Sequence, residues 1–511
     1  MLFNTMLHNP ERGATQTSDT SHDVRLSTMQ KDSISTPASN LQKEIRSVIE
    51  DLFDHVALLA KACGETMGAD HLASPAVDAD TAERDLFVRV LAIGKMFMDL
   101  FLCHLMENTR LPRQASWAGG SFECKIERGR EYRSVFGTHE VQRQLFYGED
   151  KRVVPIAQAG NLPERRDSYF LQELLLRFCI DGTYQVGTDT IADYFNASFS
   201  TGSVDDVIID QARHSESLYE SMPVVDPESE GEFIFLQCDG KGVNLKNREG
   251  KKESLVGCIG SVDAHVRDPA RLAKGLIYPS LLEDSKPQES PPRMKNAQYF
   301  GSLEMSKEEF FDYVEPFVKE RIASSSNPLI VLMDGCHKLW DLAEERFEGA
   351  VRILDIIHVS EYLWDAAKAF RKSPKDDVRI TVTAWLTVIL EGDVGKVIGY
   401  LKQRLTKSKR LAKAKRADVQ KAITYFENHR HLMKYNEYLE KGYPIATGVI
   451  ESACKHIVQN RLEKAGAKWS KKGAEAMIKM RCIRANGDWA AYQQYRKRKE
   501  KERLYPIDLA S

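Results

Sequence analysis

Two short apolar runs that stop at the same dipeptide constrain this chain most. FIFLQCDG (233–240) and LIVLMDG (329–335) are each continuous, β-branched or aromatic, and closed by Asp-Gly. Runs of that length read as strands buried on both faces, and so as strands of a sheet covered by helices. A third segment, GYPIATGVIESACKHIV (442–458), reads as a turn opening a helix with Glu451 near its start. Asp239, Asp334 and Glu451 are thereby expected at one edge of one sheet, with spacings of 95 and 117 residues. Taken singly, an Asp before Gly is ordinarily a turn residue, and a Glu at a helix start is favoured by the dipole. Together, three carboxylates at one point repel each other unless cations sit between them. Oxygen ligands of this kind suit Mg²⁺ or Mn²⁺. Two such ions on shared carboxylates make a phosphoryl-transfer site.

The surrounding pattern is α/β. SLVGCIGSVDAHV (254–266) continues as a second strand after the KNREGKK turn. Residues 267–306, with their Pro and Ser, read as an irregular insertion. A helix is expected from Ser306 to about Ala323, Ser306 capping it and Glu309 completing the capping box. CHKLWDLAEERF then gives a helix and VRILDII (351–357) a strand, and strand–helix–strand connectivity implies parallel pairing. Residues 359–440 read as a helical insertion, and 441–511 complete the core and add basic helices. Upstream, 1–38 are Ser-, Thr- and Asp-rich without apolar periodicity and are expected to be disordered. Residues 39–112 carry helical periodicity (Ile45, Val48, Ile49, Leu52; Leu86, Val90, Phe97, Phe101), suiting a bundle or coiled coil. Residues 113–165 alternate like short antiparallel strands. Residues 166–228 hold three helices over 168–180, 189–195 and 203–222, a pair of which has helix-turn-helix length. Asp205 and Asp206 at the start of the would-be recognition helix suit DNA phosphates badly, so simple helical packing is preferred.

At 511 residues, 42% apolar and 29% charged, the composition is that of an ordinary globular protein. No signal pattern is seen. The best membrane candidate, Val90 to Leu105, is too short and is broken by Lys95 and Asp99. Nine cysteines without a C-x-x-C pair indicate neither a zinc site nor a disulfide framework, and suit a reducing cytoplasm. Net charge is −2, but it is unevenly spread: residues 401–511 hold 27 Lys and Arg against 11 Asp and Glu, and residues 1–400 hold 45 against 63. Phosphates are met by local patches, so the split matters more than the sum. Lys455, Arg461, Lys464, Lys468, Lys471 and Lys472, with Trp469 among them, are the expected DNA-backbone contacts. The alternative is a solvated helix with Trp469 in the core.

EYRSVFGTHEVQR, DGKGVNLK, GKKESLVGCIGSVD, LMDGCHKLW, ILDIIHVSEYLWDAA, MKYNEYLEKGYPIATGVIESACKHIVQNRLEKAGAKWS and GAEAMIKMRCIRANGDW, in that order, resemble the ISKra-type insertion-sequence transposases. The resemblance runs from about Tyr132 to Pro506. It implies an RNase H-like core over 229–358 and 441–511, with Asp239 ending the first core strand, Asp334 the fourth, and Glu451 following the insertion. It also implies two Mg²⁺ or Mn²⁺ ions, double-stranded DNA (terminal inverted repeats and a target) as partner, and a homo-oligomer. Asp355-Ile-Ile-His358 resembles an acid-x-x-His signature of such enzymes, with His358 orienting Asp355 or bracing the strand end. The chain departs from the pattern at Asn460, where an acid is usual, and at Ala467-Lys468-Trp469, where Met-Arg-Trp is. Two other readings remain open: an RNase H-like nuclease of resolvase or repair type, and a DNA-binding protein without activity.

Overall fold

The two apolar runs lie side by side as parallel strands. In the computed structural model, Phe233–Asn244 (β5) pairs with Leu329–Met333 (β8) from Ile234 opposite Leu329 to Cys238 opposite Met333. The structure describes residues 78–149, 151–195, 197–247, 249–279, 292–371, 373, 377–507 and 509, with scattered helical positions between 40 and 57. The stretch expected to be disordered, 1–38, lies outside the described residues.

The chain divides into two units. One comprises Met1–Ser116, Ser121–Tyr132 and His139–Gly160. It contains a long helix, Ala79–Thr109 (α1), capped by Asp78, and the larger part of a four-stranded sheet. Its strands are Gln114–Trp117 (β1), Gly120–Ser134 (β2), Gly137–Tyr147 (β3) and Arg152–Val153 (β4), in that spatial order, before a short helix Pro155–Ala159 (α2). Among the described residues, α1 lies in the stretch read as helical (39–112) and β1 to β4 in the stretch read as β-rich (113–165). His139 on β3 reaches Asp99 on α1 at 2.5 Å.

The second unit takes Trp117–Gly120, Arg133–Thr138 and Asn161–Ser511. It opens with four helices: Tyr169–Cys179 (α3), Tyr184–Tyr194 (α4), Thr201–Ala212 (α5) and Ser215–Glu220 (α6). The stretch read as one helix over 203–222 therefore breaks at Arg213-His214. Asp205 faces inward, accepting from Tyr184 Oη at 2.7 Å and Ser470 Oγ at 2.6 Å. The start of α5 is thus committed to internal packing, as preferred.

The core sheet adds Lys251–Val262 (β6), Lys295–Ser302 (β7) and Val351–Leu354 (β9), in the order β7-β6-β5-β8-β9. β5, β6 and β7 are antiparallel, and β8 and β9 run parallel to β5. A Cβ on Gly257 would meet Phe310 of Lys307–Ser325 (α8), and one on Gly301 would meet Ile478 of Lys471–Ala485 (α16). Gly301 pairs with Val256, the neighbour of Gly257, so the two glycines face opposite sides. The sheet is thus covered by helices on both faces, which is why its strands read as unbroken apolar runs. The Ser306–Glu309 capping box of α8 is present as expected.

Two sequence readings are corrected. Among the described residues of 267–306, two regular elements replace the expected irregular insertion: Pro269–Ile277 (α7) and β7, an edge strand whose KNAQYFGS carries too little apolar alternation to announce itself. β9 ends at Leu354, and Asp355 caps the next helix instead of lying in the strand. After His337–Arg346 (α9), the insertion comprises Ile356–Phe370 (α10), Val378–Leu390 (α11), Val394–Lys407 (α12), Lys413–His429 (α13) and Tyr435–Glu440 (α14). It begins three residues earlier than expected. Gly448–Ala453 (α15) continues into a wide-turned helix, Cys454–Glu463; α16 and Trp489–Leu504 (α17) complete the unit.

Candidate active site

Register brings the first two acids together. Cys238 and Met333 are the last paired residues of β5 and β8, and Asp239 and Asp334 are the next residue on each. β5 does not stop there: it runs on to Asn244 against β6, so Asp239 sits within a strand and not in a turn. Asp334 leaves its strand, and its Oδ1 accepts the Cys336 N–H at 3.0 Å. Trp340 Nε1 donates to the Asp334 carbonyl at 2.6 Å and fixes the turn onto α9. Burial pushes the Asp334 carboxyl up from the usual range; the Cys336 N–H and His358 oppose that shift, and the Asp239 and Asp355 carboxylates add to it.

Glu451 is delivered by two hydrogen bonds that sequence reading did not find. Gln237, buried in β5 two residues before Asp239, accepts the Ile450 N–H on its Oε1 at 3.1 Å. Asp355 accepts the Thr447 N–H at 3.0 Å. Thr447 Oγ1 in turn contacts Glu451 Oε1 at 3.3 Å. The start of α15 is therefore held by β5 on one side and by the start of α10 on the other. A lone amide inside an apolar run was the available signal for Gln237. Burial raises the Glu451 carboxyl, and Asp355 adds to the effect while His358 opposes it.

One ligand atom each from Asp355, His358 and Glu451 lies within 4.8 Å of the others. Asp355 nevertheless makes a poor metal ligand. It is fully buried, and its oxygens accept from Ile357 N at 3.1 Å, His358 N at 3.2 Å, Thr447 N and His358 Nδ1 at 2.7 Å. Burial alone would raise its pKa, but those bonds together lower it. The same bond from Asp355 lifts His358 to about 9, so the ring is cationic at neutral pH. The Nδ1 of His358 is committed to Asp355. Asp355–His358 is a brace, the structural alternative named above. Asp239, Asp334 and Glu451 are hard oxygen donors of the kind a divalent cation takes; the Asp239 carboxylate adds to the rise at Asp334, while the group of close ligand atoms that includes Glu451 is completed, among the described residues, by Asp355 and His358.

The basic residues separate into two kinds. Lys455, Lys464, Lys468, Lys471 and Lys472 are exposed. Lys252 on β6 is pulled below the ordinary lysine range by burial and then by the nearby Lys471, a crowding of positive charge that an anion would offset. Arg461 does not belong with them. It is 5% exposed, donates to the Cys179 carbonyl at 3.0 Å, and stacks on Tyr184 and Trp469 at 5.2 and 4.5 Å. Its expected role as a DNA contact is corrected: it ties the wide-turned helix to α3 and α4. Trp469 is a core residue, donating to the Leu462 carbonyl at 3.0 Å.

Residues 273–499 match the sequence model of an uncharacterised protein family, UPF0236. The matched span includes Asp334, Asp355, His358 and Glu451 and begins after Asp239. Among curated proteins, none matches the chain. No helix among the described residues is long and apolar enough to cross a membrane.

Proposed function

We propose that this protein is a metal-dependent phosphoryl-transfer enzyme acting on DNA, a transposase of the DDE type with an RNase H-like core. The observation that carries the reading is the register of β5 and β8, which presents Asp239 and Asp334 side by side with Glu451 held nearby from a third element. Under this reading Asp239, Asp334 and Glu451 hold the divalent ions, which supply activation of the attacking oxygen and stabilisation of the leaving one. The chain's own contribution is placement. Gln237 and Thr447 set the helix that bears Glu451, and Asp355 locks the entry to the insertion. The exposed lysines after residue 454 would hold the phosphate backbone without reading sequence. The resemblance adds strand transfer of element ends into a target, in a homo-oligomer.

The test uses duplexes taken from the DNA flanking the coding sequence. Cleavage is expected with Mg²⁺ or Mn²⁺ and abolished by EDTA. A labelled end should also join a plasmid target, which a resolvase or repair nuclease would not do. Full cleavage in chelator would defeat the proposal. Glu463→Gln is the control, since Glu463 pairs with Lys251 at 3.5 Å and is given no ligand role.

A further inference from the structure

The long helix of the first unit carries an apolar stripe on its outer side. α1 has 31 residues, about 46 Å of helix. One side of it is spent on the sheet: Asp99 reaches His139, Leu102 is buried, and Met106 Sδ accepts the Gln142 N–H at 3.2 Å. Helical periodicity places Phe87, Val90, Gly94, Phe97 and Phe101 in one line, well away from that side. The four large side chains of this line are 44% to 56% exposed. A helix that is apolar on two sides is ordinarily covered on both. A run of half-exposed apolar side chains about 21 Å long marks an interaction surface.

The order of residues along the line points to what covers it, because it reads nearly the same in both directions from Gly94. Phe87 and Phe101 each lie seven residues from it, and Val90 and Phe97 lie four and three. Glu83 and His104 lie eleven and ten away, and Asp78 and Arg110 sixteen each. A two-fold axis at Gly94 therefore sets Phe87 against the Phe101 of a second copy and Val90 against its Phe97. It also sets a carboxylate against an imidazole or guanidinium at each end. Self-complementary order of this kind is what an isologous contact requires. Charge fixes the direction. Residues 78–85 hold four acids and one Arg, whereas residues 104–113 hold two Arg and one Glu. Antiparallel pairing lays the acidic end on the basic one, and parallel pairing would lay the acidic ends together. Glycine weakens a helix interior, yet Gly94 stands at the centre, where two backbones would approach most closely. We infer that α1 is a homodimerisation helix, crossing the α1 of a second copy antiparallel at Gly94. The contact needs neither metal nor DNA and lies outside the family match of residues 273–499. It gives a surface to the homo-oligomer that the resemblance implies only in general.

Sedimentation velocity on the full chain, over a concentration series in EDTA and without DNA, tests this. The wild type should run as a monomer–dimer equilibrium. Phe97→Glu alters a half-exposed side chain, so circular dichroism should show the fold intact. The dimer carries that change twice and should weaken by roughly 30-fold or more. Gly94→Leu should weaken it too, although leucine is the better helix former, because the close approach is blocked. Glu83→Lys should also weaken the dimer, and Glu83→Lys with Arg110→Glu should recover it. A parallel pair would respond to Glu83→Lys in the opposite sense, by tightening. A monomer at every concentration, a dimer indifferent to Phe97→Glu and Gly94→Leu, or a dimer tightened by Glu83→Lys would each overturn the assignment. None of these outcomes bears on the metal-dependent reading, which stands or falls on cleavage.

Discussion

Replacing Asp355 separates a brace from a ligand. Asp355→Ala removes the acceptor of the Ile357 and His358 N–H groups, an N-cap loss of about 0.5–2 kcal/mol. It leaves the Thr447 N–H buried without a partner, about 1–3 kcal/mol more. It also abandons a cationic His358. That ring rises from 6.5 to about 9, and because its side chain is 33% exposed the pairing is discounted for solvent screening to on the order of 1–2 kcal/mol. The total is about 2.5–7 kcal/mol, a range that includes the cost of breaking a buried pair. Asp355→Asn keeps one oxygen, so it can still accept from Ile357 and Thr447 but loses the His358 N–H and Nδ1 bonds, and should cost less than Ala. The sign with pH follows from the direction of the shift. A His held above its unfolded pKa contributes fully below 6.5, and the contribution is lost as pH rises through about 9. Urea denaturation in EDTA at pH 6 and pH 9.5 should show the wild type losing about 1–2 kcal/mol more than Asp355→Asn over that interval. The reasoning fails if Ala is no worse than Asn, or if the Asn variant keeps the wild-type pH dependence.

Arg461→Met removes a buried charged hydrogen bond and two ring contacts, and should destabilise by about 2–4 kcal/mol in denaturant while leaving the salt slope of DNA binding unchanged. Replacing Lys468, Lys471 and Lys472 with Ala should do the opposite: stability within about 0.5 kcal/mol, but a log affinity against log salt slope flattened by up to about 0.9 per lost contact, read by fluorescence anisotropy. Asp239→Asn, Asp334→Asn and Glu451→Gln should each bind element ends yet cut orders of magnitude more slowly in single turnover. The double variant should be scarcely slower than either single one, since ligands of one centre act as a unit. Gly335→Ala should impair cleavage by displacing the insertion, because a Cβ there falls 2.3 Å from Tyr425 Cε2; normal rates would show that the contact gives way freely.

The strands bearing Asp239 and Asp334 were legible because burial on both faces leaves an uninterrupted apolar signature. β7 was not, since it is an edge strand whose KNAQYFGS holds few apolar residues and lies beside a Pro- and Ser-rich stretch. Asp355 was misread as strand-borne because VRIL and the first apolar residues of α10 form one continuous run, and nothing local marks where extended backbone becomes helix. Arg461 failed for a different reason. A basic residue among lysines announces a surface, and only the approach of α3 and α4, more than two hundred residues away in sequence, buries it. Gln237 and Asp355 hold the start of α15 by accepting the backbone N–H groups of Ile450 and Thr447, and those donors carry no residue signature.

The ladder between β5 and β8 also makes the two acids indifferent to chain length elsewhere. Their relative position is set by five consecutive residue pairs, although 94 residues separate them in sequence. Segments could be lengthened or exchanged within α7 or the far end of the insertion, and Asp239 and Asp334 would stay abreast. A single residue added or deleted inside Ile234–Cys238 or Leu329–Met333 would instead put one acid out of step and turn its side chain to the opposite face of the sheet. Relatives of this chain should therefore vary in length between these runs and not within them.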